Sequence, residues 1–231
     1  MNFGLGTLLD LLFPLRCAGC AKIVKNEPLC AHCFNAIPLH NTLFCGECKA
    51  RIPGSSKVCH RHVPYLLAAA TDFHHPTVTN LVHALKFQYI ASAARPLARL
   101  TAEYLNTAMP EEAGVIIVPV PLSGARTRKR GYNQSELIAR DLALLLDMPI
   151  ETRALSRVRN SEPLSTLHGG LRTRAENIRG CFAVTNPALV AGKNIFLVDD
   201  VTTSGATFTE CARALKAAGA RRILAVAAAM A

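Results

Sequence analysis

The sequence lacks any long apolar run. Half of its 231 residues are hydrophobic, yet no stretch approaches the roughly 18 consecutive apolar residues that a membrane-spanning helix needs. Segment 3–15 is apolar, but it has no basic start, contains Asp10 and offers no convincing cleavage site. We therefore expect a docking helix there and not a signal peptide, in a cytoplasmic protein without a membrane span.

Acidic residues are also scarce. The chain has 16 Asp and Glu residues against 26 Lys and Arg residues, a formal net charge of +10. This excess predicts an anionic partner, and nucleic acid, a polyphosphate substrate and an anionic membrane surface all qualify. A basic surface that faces only solvent is the alternative. The excess is uneven, because one acid-free run beside a predicted strand end contains Arg126, Arg128, Lys129 and Arg130.

Cysteine, in contrast, is abundant at one end of the chain. Seven of the nine cysteines lie before residue 60, and in a cytoplasmic protein such clustering favours a bound metal over disulfides. Each Cys-x-x-Cys turn points two thiolates at one ion, and two such turns complete the tetrahedron of a structural Zn²⁺ site. A redox role is the alternative, but redox motifs usually begin a helix of a thioredoxin-like unit, which this sequence lacks.

The spacing predicts two zinc sites built from consecutive knuckles. The predicted ligands are Cys17, Cys20, Cys30 and Cys33 in the first site, and Cys45, Cys48, Cys59 and His62 in the second. His60 is the alternative fourth ligand of the second site, although a neighbour of Cys59 is less able to converge on the same ion. A cross-braced pairing of the knuckles is also open. A short segment with little core would owe its folding to the metal.

The sequence pattern changes near residue 64. Residues 1–64 are predicted to form an N-terminal helix and a Cys-rich double zinc ribbon, and residues 65–231 a larger α/β domain. Helices are predicted over 76–87, 91–107, 134–147 and 206–218, and strands over 115–120, 194–198 and 222–228. Segment 157–179 is predicted to be a long loop or flap. Strand, helix and strand with short connections predict a parallel sheet with helices on its faces.

Segment 195–207 carries the clearest chemical pattern. Four apolar residues lead to Asp199 and Asp200, at the strand end where open α/β sheets bind ligands. Small hydroxylated residues follow into a helix start, whose free N–H groups and dipole favour phosphate. The carboxylates can accept hydrogen bonds from vicinal hydroxyls or hold Mg²⁺ through water. A sugar phosphate explains both halves of the pattern, whereas a simple helix cap explains one.

This segment resembles the signature with which type I phosphoribosyltransferases bind phosphoribosyl pyrophosphate (PRPP). The resemblance implies that Asp199 and Asp200 bind the ribose 2- and 3-hydroxyls. It implies a 5-phosphate site formed by Thr203, Ser204, Gly205, Ala206 and Thr207. Thr202 belongs to the same binding segment, although the family more often has an aliphatic residue at this position.

Motifs outside this segment extend the resemblance to the competence protein F (ComF)/GntX family. They are Val82-His-Ala-Leu-Lys86-Phe87, Val118-Pro-Val-Pro121, Arg130-Gly-Tyr-Asn133-Gln134-Ser and the N-terminal Cys pairs. The resemblance implies a type I phosphoribosyltransferase-like parallel sheet flanked by helices, preceded by a small zinc-ribbon module. It implies structural Zn²⁺, Mg²⁺ bound with PRPP, and a role in DNA uptake or utilisation. The turn after residues 118–121 would be the pyrophosphate loop, with Ser123, Arg130 and Lys86 as candidate ligands.

Three functions fit these patterns. The first is a phosphoribosyl-transfer enzyme, in which Mg²⁺ and cationic groups would stabilise the departing pyrophosphate. The second is a non-catalytic PRPP sensor. The third is a zinc-ribbon interaction factor that contacts single-stranded DNA or DNA-uptake proteins. The sequence identifies neither a catalytic base nor the acceptor.

Overall fold

The computed structural model describes residues 14–52, 59–60, 62–109, 114–159 and 176–231. The docking helix predicted over residues 3–15 lies almost wholly outside this part of the chain. Most of the flap predicted over residues 157–179 also lies outside it. None of the helices in the described ranges is long and apolar enough to cross a membrane.

A six-stranded sheet forms the centre of the described part of the molecule. Its strands are β1 (Leu43–Cys45), β2 (Arg51–Ile52), β3 (Leu66–Asp72), β4 (Val115–Pro119), β7 (Asn194–Thr202) and β8 (Arg222–Met230), in the order β2-β1-β3-β8-β7-β4. Strands β3, β8, β7 and β4 are parallel, and β1 and β2 are antiparallel additions at one edge. β5 (Leu155–Arg157) and β6 (Phe182–Val184) form a separate antiparallel pair.

Helices cover both faces of this sheet. They are α1 (Ala31–Asn35), α2 (Pro76–Phe87), α3 (Ala94–Ala108), α4 (Gly124–Arg130), α5 (Gln134–Leu146) and α6 (Ala206–Ala217). Buried residues of α2, α3 and α5 share one core cluster with every second residue of the strands, and α6 shares the other cluster with the alternate strand residues. This arrangement follows from the two-residue period of a strand, because both faces of a parallel sheet must be buried.

The sequence predicts most of these elements close to their observed bounds. α2 spans the predicted residues 76–87, with Pro76 at its first position, where a missing N–H costs nothing. The predicted apolar stripe of α6, Phe208, Cys211, Ala212 and Leu215, is buried. Cys181 is also fully buried, as Cys211 is.

Two observations about the strands differ from the sequence prediction. β7 continues through Thr202, whereas the predicted strand ends at residue 198 and gives way to a turn. The sequence analysis also misses β3, an almost wholly buried strand of small residues. β3 pairs with β8 on one side and with β1 of the Cys-rich segment on the other. The predicted boundary at residues 64 and 65 therefore falls within one continuous sheet.

Candidate functional site

The two carboxylates of the predicted site lie on β7, beyond the last buried apolar residue. Asp199 pairs with Ala227 of β8, and after Asp200 the pairing resumes at Val201 and continues to Thr202. Consecutive residues of a strand alternate between the two faces of the sheet, yet both carboxylates contact side chains of helices that share one core cluster, α2 and α5. Asp199 is half-buried and Asp200 is buried. The pair thus ends the hydrophobic part of a central strand, as the sequence predicts, but inside the strand and not in a turn.

Asp200 forms an ion pair with Lys86 near the end of α2. The Lys86 Nζ atom lies 2.8 Å from Oδ1 of Asp200, and the two side chains are 25% and 7% exposed. The hydroxyl of Tyr132 donates to the carbonyl of Leu85 at 2.7 Å, which ties this end of α2 to the chain before α5. Lys86 is predicted from the sequence as one candidate ligand of the diphosphate. The structure instead pairs it with the carboxylate that a ribose hydroxyl is expected to contact.

Asp199 accepts a hydrogen bond from Ser135 at the start of α5. The Ser135 hydroxyl lies 2.6 Å from Oδ1 of Asp199, and the backbone N–H of Asp200 donates to the same oxygen at 2.9 Å. Removal from water and then the adjacent charge of Asp200 raise the pKa of Asp199 to about 7, against the opposing effect of the Ser135 hydrogen bond. One carboxylate of the pair therefore titrates near neutral pH. Sequence reasoning misses Ser135, although it lies in a motif quoted above for the family.

Residues 203–205 join β7 to α6, and together with the first two residues of the helix they form the segment that we call the 203–207 turn. Gly205 caps α6 with a left-handed backbone, φ +75°. The hydroxyl of Ser204 accepts from the N–H of Ala206 at 3.4 Å. Within the described part of the chain, the N–H groups of Ser204, Gly205 and Thr207 have no backbone acceptor. Such free N–H groups at the start of a helix bind anions, with help from the helix dipole.

The turn after β4 lies beside the carboxylate pair. The N–H of Val120 donates to the carbonyl of Val198 at 2.9 Å, directly before Asp199. Ser123, predicted to contact a diphosphate, is buried and caps α4 by accepting from the N–H of Arg126 at 3.4 Å. A cleft of about 390 Å³ opens next to this turn, lined by Pro119, Pro121, Leu122, Thr127, Gly131, Tyr132, Asn133, Glu136, Leu137 and Thr152. The cleft adjoins the start of α5, which carries Ser135.

Arginine side chains converge next to the same turn. Arg130 lies over the ring of Phe87, 6.0 Å from its centroid, and so extends towards the end of α2 that carries Lys86. Burial lowers the pKa of Arg126, and the neighbouring guanidinium groups of Arg157 and Arg130 lower it further. Several positive charges in one region favour an anionic ligand there. The sequence analysis predicts a role for Arg130, but it does not bring Arg157 of β5 to this place.

The cysteines form two clusters of the predicted composition, with one difference. In each cluster, four possible ligand atoms lie within 4.8 Å of one another: Cys17, Cys20, Cys30 and Cys33 in the first, and Cys45, Cys48, Cys59 and His60 in the second. Consecutive knuckles are therefore paired, and no cross-brace forms. All nine cysteines of the chain fall in the described ranges and are free thiols. Three or four thiolates with at most one imidazole suit tetrahedral Zn²⁺ with no open position.

His60 takes the place that the sequence analysis gives to His62. Nδ1 of His60 lies 3.4 Å from Sγ of Cys45, whereas Nε2 of the exposed His62 lies 2.5 Å from Oε2 of Glu47. The choice of His62 as the fourth ligand is thus wrong for this structure. An imidazole extends farther from its backbone than a thiol, so Nδ1 of His60 reaches the same cluster as Sγ of its neighbour Cys59.

Comparison with protein families agrees with this architecture. The phosphoribosyl transferase domain family matches residues 90–230, and the double zinc ribbon domain family matches residues 8–63. The zinc-ribbon match and the two cysteine clusters together support structural zinc.

Several characterised relatives align along most of the chain. "DNA utilization protein YhgH" of Salmonella typhi is 32% identical over 214 residues, which cover 90% of this chain and 86% of the relative. "Competence protein F" of Haemophilus influenzae is 29% identical over 220 residues with the same coverage. "Competence protein ComFC" of Bacillus subtilis is 37% identical over 100 residues, 43% of this chain and 38% of the relative. With its phosphoribosyl transferase domain behind a double zinc ribbon, this chain belongs to the competence protein F family.

Proposed function

We propose that this protein binds PRPP with Mg²⁺ at the carboxyl end of β7 and acts in the uptake or utilisation of DNA. One observation carries the proposal. Asp199 and Asp200 lie near the carboxyl end of a central strand, and after the last strand residue, Thr202, the chain forms a turn with free N–H groups at the start of α6. Hydroxyl-binding carboxylates next to a phosphate-binding turn suit a ribose 5-phosphate.

The charges around the pair suit the rest of PRPP. Arg126 and Arg130 belong to α4, directly after the turn that follows β4, where the diphosphate is expected, and the charge of Arg157 also acts on Arg126. Mg²⁺ would neutralise the diphosphate and make it a better leaving group, and carboxylate oxygens of Asp199 and Asp200 are ligands of the kind it prefers, directly or through water. On binding, the ribose hydroxyls would compete with Lys86 for Asp200, and the released ammonium would then be free to face the diphosphate.

Two further parts of the proposal concern the metal and the cell. We propose that the first cysteine cluster and the second, with His60 as its fourth ligand, each hold one structural Zn²⁺ ion. Free thiols and zinc ligation suit a reducing compartment, which supports a cytoplasmic location.

The link to DNA rests on the names of the relatives, "DNA utilization protein" and "competence protein", and on the net charge of +10. Single-stranded DNA and DNA-uptake proteins are the partners this predicts.

Calorimetric titration of Mg²⁺–PRPP tests the binding site. We expect the wild type to bind, and Asp199→Asn and Asp200→Asn each to lose about tenfold or more in affinity, because a neutral amide is a weaker acceptor for two hydroxyls. Asp72→Asn is a matched control, since Asp72 ends the parallel strand β3 and is exposed. The proposal fails if the wild type does not bind, or if the two site variants bind as tightly as the control.

Turnover and DNA binding separate the three functions. Release of pyrophosphate from Mg²⁺–PRPP in the presence of an acceptor base would establish an enzyme, and tight binding without release would establish a sensor. Binding to single-stranded DNA should weaken as salt rises, by about 0.7 in the logarithmic slope for each phosphate contact. DNA binding that is unchanged in Asp199→Asn, in a protein that does not bind PRPP, would favour the interaction factor.

A further inference from the structure

The second cysteine cluster lies directly against the 203–207 turn. The hydroxyl of Tyr65 lies within hydrogen-bond distance of three oxygens: the carbonyl of Gly46 in the knuckle (3.1 Å), the carbonyl of Gly205 in the turn (3.3 Å) and the hydroxyl of Thr209 in α6 (3.3 Å). Tyr65 is only 4% exposed, so these contacts form away from solvent. A single side chain thus connects the metal knuckle, the turn and the start of the helix.

The two glycines around Tyr65 leave no room for a side chain. A Cβ atom on Gly46 would lie 2.7 Å from Cε2 of Tyr65, and a Cβ atom on Gly205 would lie 2.9 Å from the hydroxyl of Tyr65. Both distances are well inside ordinary van der Waals contact. Glycine therefore lets the backbone of the knuckle and the backbone of the turn approach the same tyrosine from two sides.

Lys49 makes the second knuckle different from the first. Lys49 and Ala21 occupy equivalent positions, each one residue after a Cys-x-x-Cys pair and each with a left-handed backbone, φ 60° and 59°. The N–H of each donates to the carbonyl of the first cysteine of its pair, Cys45 at 3.1 Å and Cys17 at 2.9 Å. Ala21 demonstrates that the knuckle itself needs no long side chain at this position.

The side chain of Lys49 points to the turn. Its Nζ atom donates to the carbonyl of Gly46 at 3.0 Å. The same atom lies 2.7 Å from the point that a Cβ on Gly205 would occupy. The knuckle thereby brings an ammonium group to the backbone of the turn that carries the free N–H groups.

We propose that Tyr65 and Lys49 are positioning residues through which metal at the second cluster holds the 203–207 turn ready for a sugar 5-phosphate. The inference rests on the proposed function, because it takes the turn as the 5-phosphate site. Metal bound by Cys45 and Cys48 fixes the knuckle between them, and with it the carbonyl of Gly46 and the backbone of Lys49. The charge of Lys49 also favours an anion at the adjacent turn.

Ligand binding to the full-length, zinc-loaded protein tests this inference, with ribose 5-phosphate and Mg²⁺–pyrophosphate as separate probes. Tyr65→Phe removes only the hydroxyl, and we expect it to weaken ribose 5-phosphate binding about fivefold to twentyfold. Mg²⁺–pyrophosphate binding and the zinc content should not change. Tyr104→Phe is a matched control, since Tyr104 is also fully buried and donates to a backbone carbonyl, that of Thr42, at 2.7 Å.

Lys49 is tested with two substitutions of different character. Lys49→Ala reproduces the residue found at the equivalent position of the first knuckle, so the backbone should be unaffected. We expect it to weaken ribose 5-phosphate binding about fivefold, and we expect Lys49→Arg to restore most of the loss because it keeps the charge. If Lys49 had a purely structural role, replacing it would lower the stability of the protein and would weaken the binding of both probes alike.

The metal dependence is tested with one cysteine variant from each cluster. Cys48→Ser and Cys20→Ser should each lose one of two zinc ions by elemental analysis. Only Cys48→Ser should weaken ribose 5-phosphate binding in molecules that remain folded.

The outcomes separate the inference from the proposed function. Wild-type protein that binds neither Mg²⁺–PRPP nor ribose 5-phosphate would overturn both. Wild-type protein that binds both ligands, together with unchanged ribose 5-phosphate affinity in Tyr65→Phe and Lys49→Ala, would overturn the inference alone.

Discussion

The two cysteine clusters have nearly the same chemistry and different surroundings. The first cluster packs into the hydrophobic core beneath α2 and α3, through Cys17, Leu29 and Phe34. The second cluster lies on the other side of the sheet, where Phe44 and Tyr65 belong to the core cluster of α6. One knuckle thus contacts the framework of the larger domain, and the other contacts the start of the helix that follows the 203–207 turn.

We infer from this difference that metal at the first cluster would serve stability and metal at the second would serve the geometry of the turn. Around the first cluster, Arg99 pairs with Glu27 at 2.7 Å and lies over the ring of Phe34, 4.1 Å from its centroid. These contacts anchor the knuckle to α3. Around the second cluster, the contacts of Tyr65 and Lys49 lead to Gly205. We therefore expect damage at the first cluster to lower stability and damage at the second to lower ligand affinity.

The largest expected effect is the loss of the first metal. Cys17→Ser removes a buried ligand, and we expect the free energy of unfolding to fall by about 4 kcal/mol or more, because metal binding contributes directly to folding. Denaturant unfolding with elemental analysis measures both quantities. An unchanged unfolding curve in a protein with one zinc ion would contradict the anchoring role.

Gly205→Ala tests the contact between the second cluster and the turn. A left-handed backbone costs any L-residue about 1–2 kcal/mol, and the new Cβ would also meet Lys49 and Tyr65. We expect at least a tenfold loss of ribose 5-phosphate affinity. Gly192→Ala is the matched control, since Gly192 has φ +72° and nothing within 4 Å of its Cβ position. Equal affinities in the two variants would contradict the idea that the contact of Gly205 with Lys49 and Tyr65 supports ligand binding.

A pH titration of ligand binding sharpens the assignment of Asp199. Its pKa is raised to about 7, so the carboxyl group is neutral below that pH and charged above it. We expect Mg²⁺–PRPP affinity to fall about tenfold as pH drops from 7.5 to 5.5, beyond any change in Asp199→Asn. A raised pKa also favours the folded state at low pH, and this contribution is lost as pH rises through about 7. If the affinities of the wild type and of Asp199→Asn changed with pH in parallel, this would contradict the raised pKa of Asp199.

Glu27→Gln should have the smallest effect. It removes a half-buried carboxylate that pairs with Arg99 at 2.7 Å. We expect the free energy of unfolding to fall by about 1 kcal/mol, since partly exposed ion pairs contribute little. Ligand affinity should not change. If Glu27→Gln lowered ligand affinity more than it lowered the free energy of unfolding, the first cluster would not differ from the second in the way that we propose.

Local sequence patterns predict the parts of this molecule that depend on neighbouring residues. Apolar residues that recur at intervals of three and four predict α2 and α6, and the order of Asp199, Asp200 and the hydroxylated residues predicts a strand followed by a helix start at this place. β3 escapes prediction because four of its seven residues are Leu-Ala-Ala-Ala, which favour helix as readily as strand.

Contacts between distant segments escape prediction for a different reason. The pairs Lys86 with Asp200 and Tyr65 with Gly205 join residues more than one hundred positions apart, and no spacing rule relates them. The error at His62 has the same origin. Spacing gives two candidate histidines, and only the course of the chain around Cys59 brings His60 to the cluster.

Amide hydrogen exchange with and without Mg²⁺–PRPP tests the central claim most directly, because it locates the ligand on the chain. We expect slower exchange at residues 199–207, above all at the N–H groups of Ser204, Gly205 and Thr207, and no slowing there in Asp200→Asn. Slower exchange confined to another part of the protein, with residues 199–207 unchanged, would contradict the account.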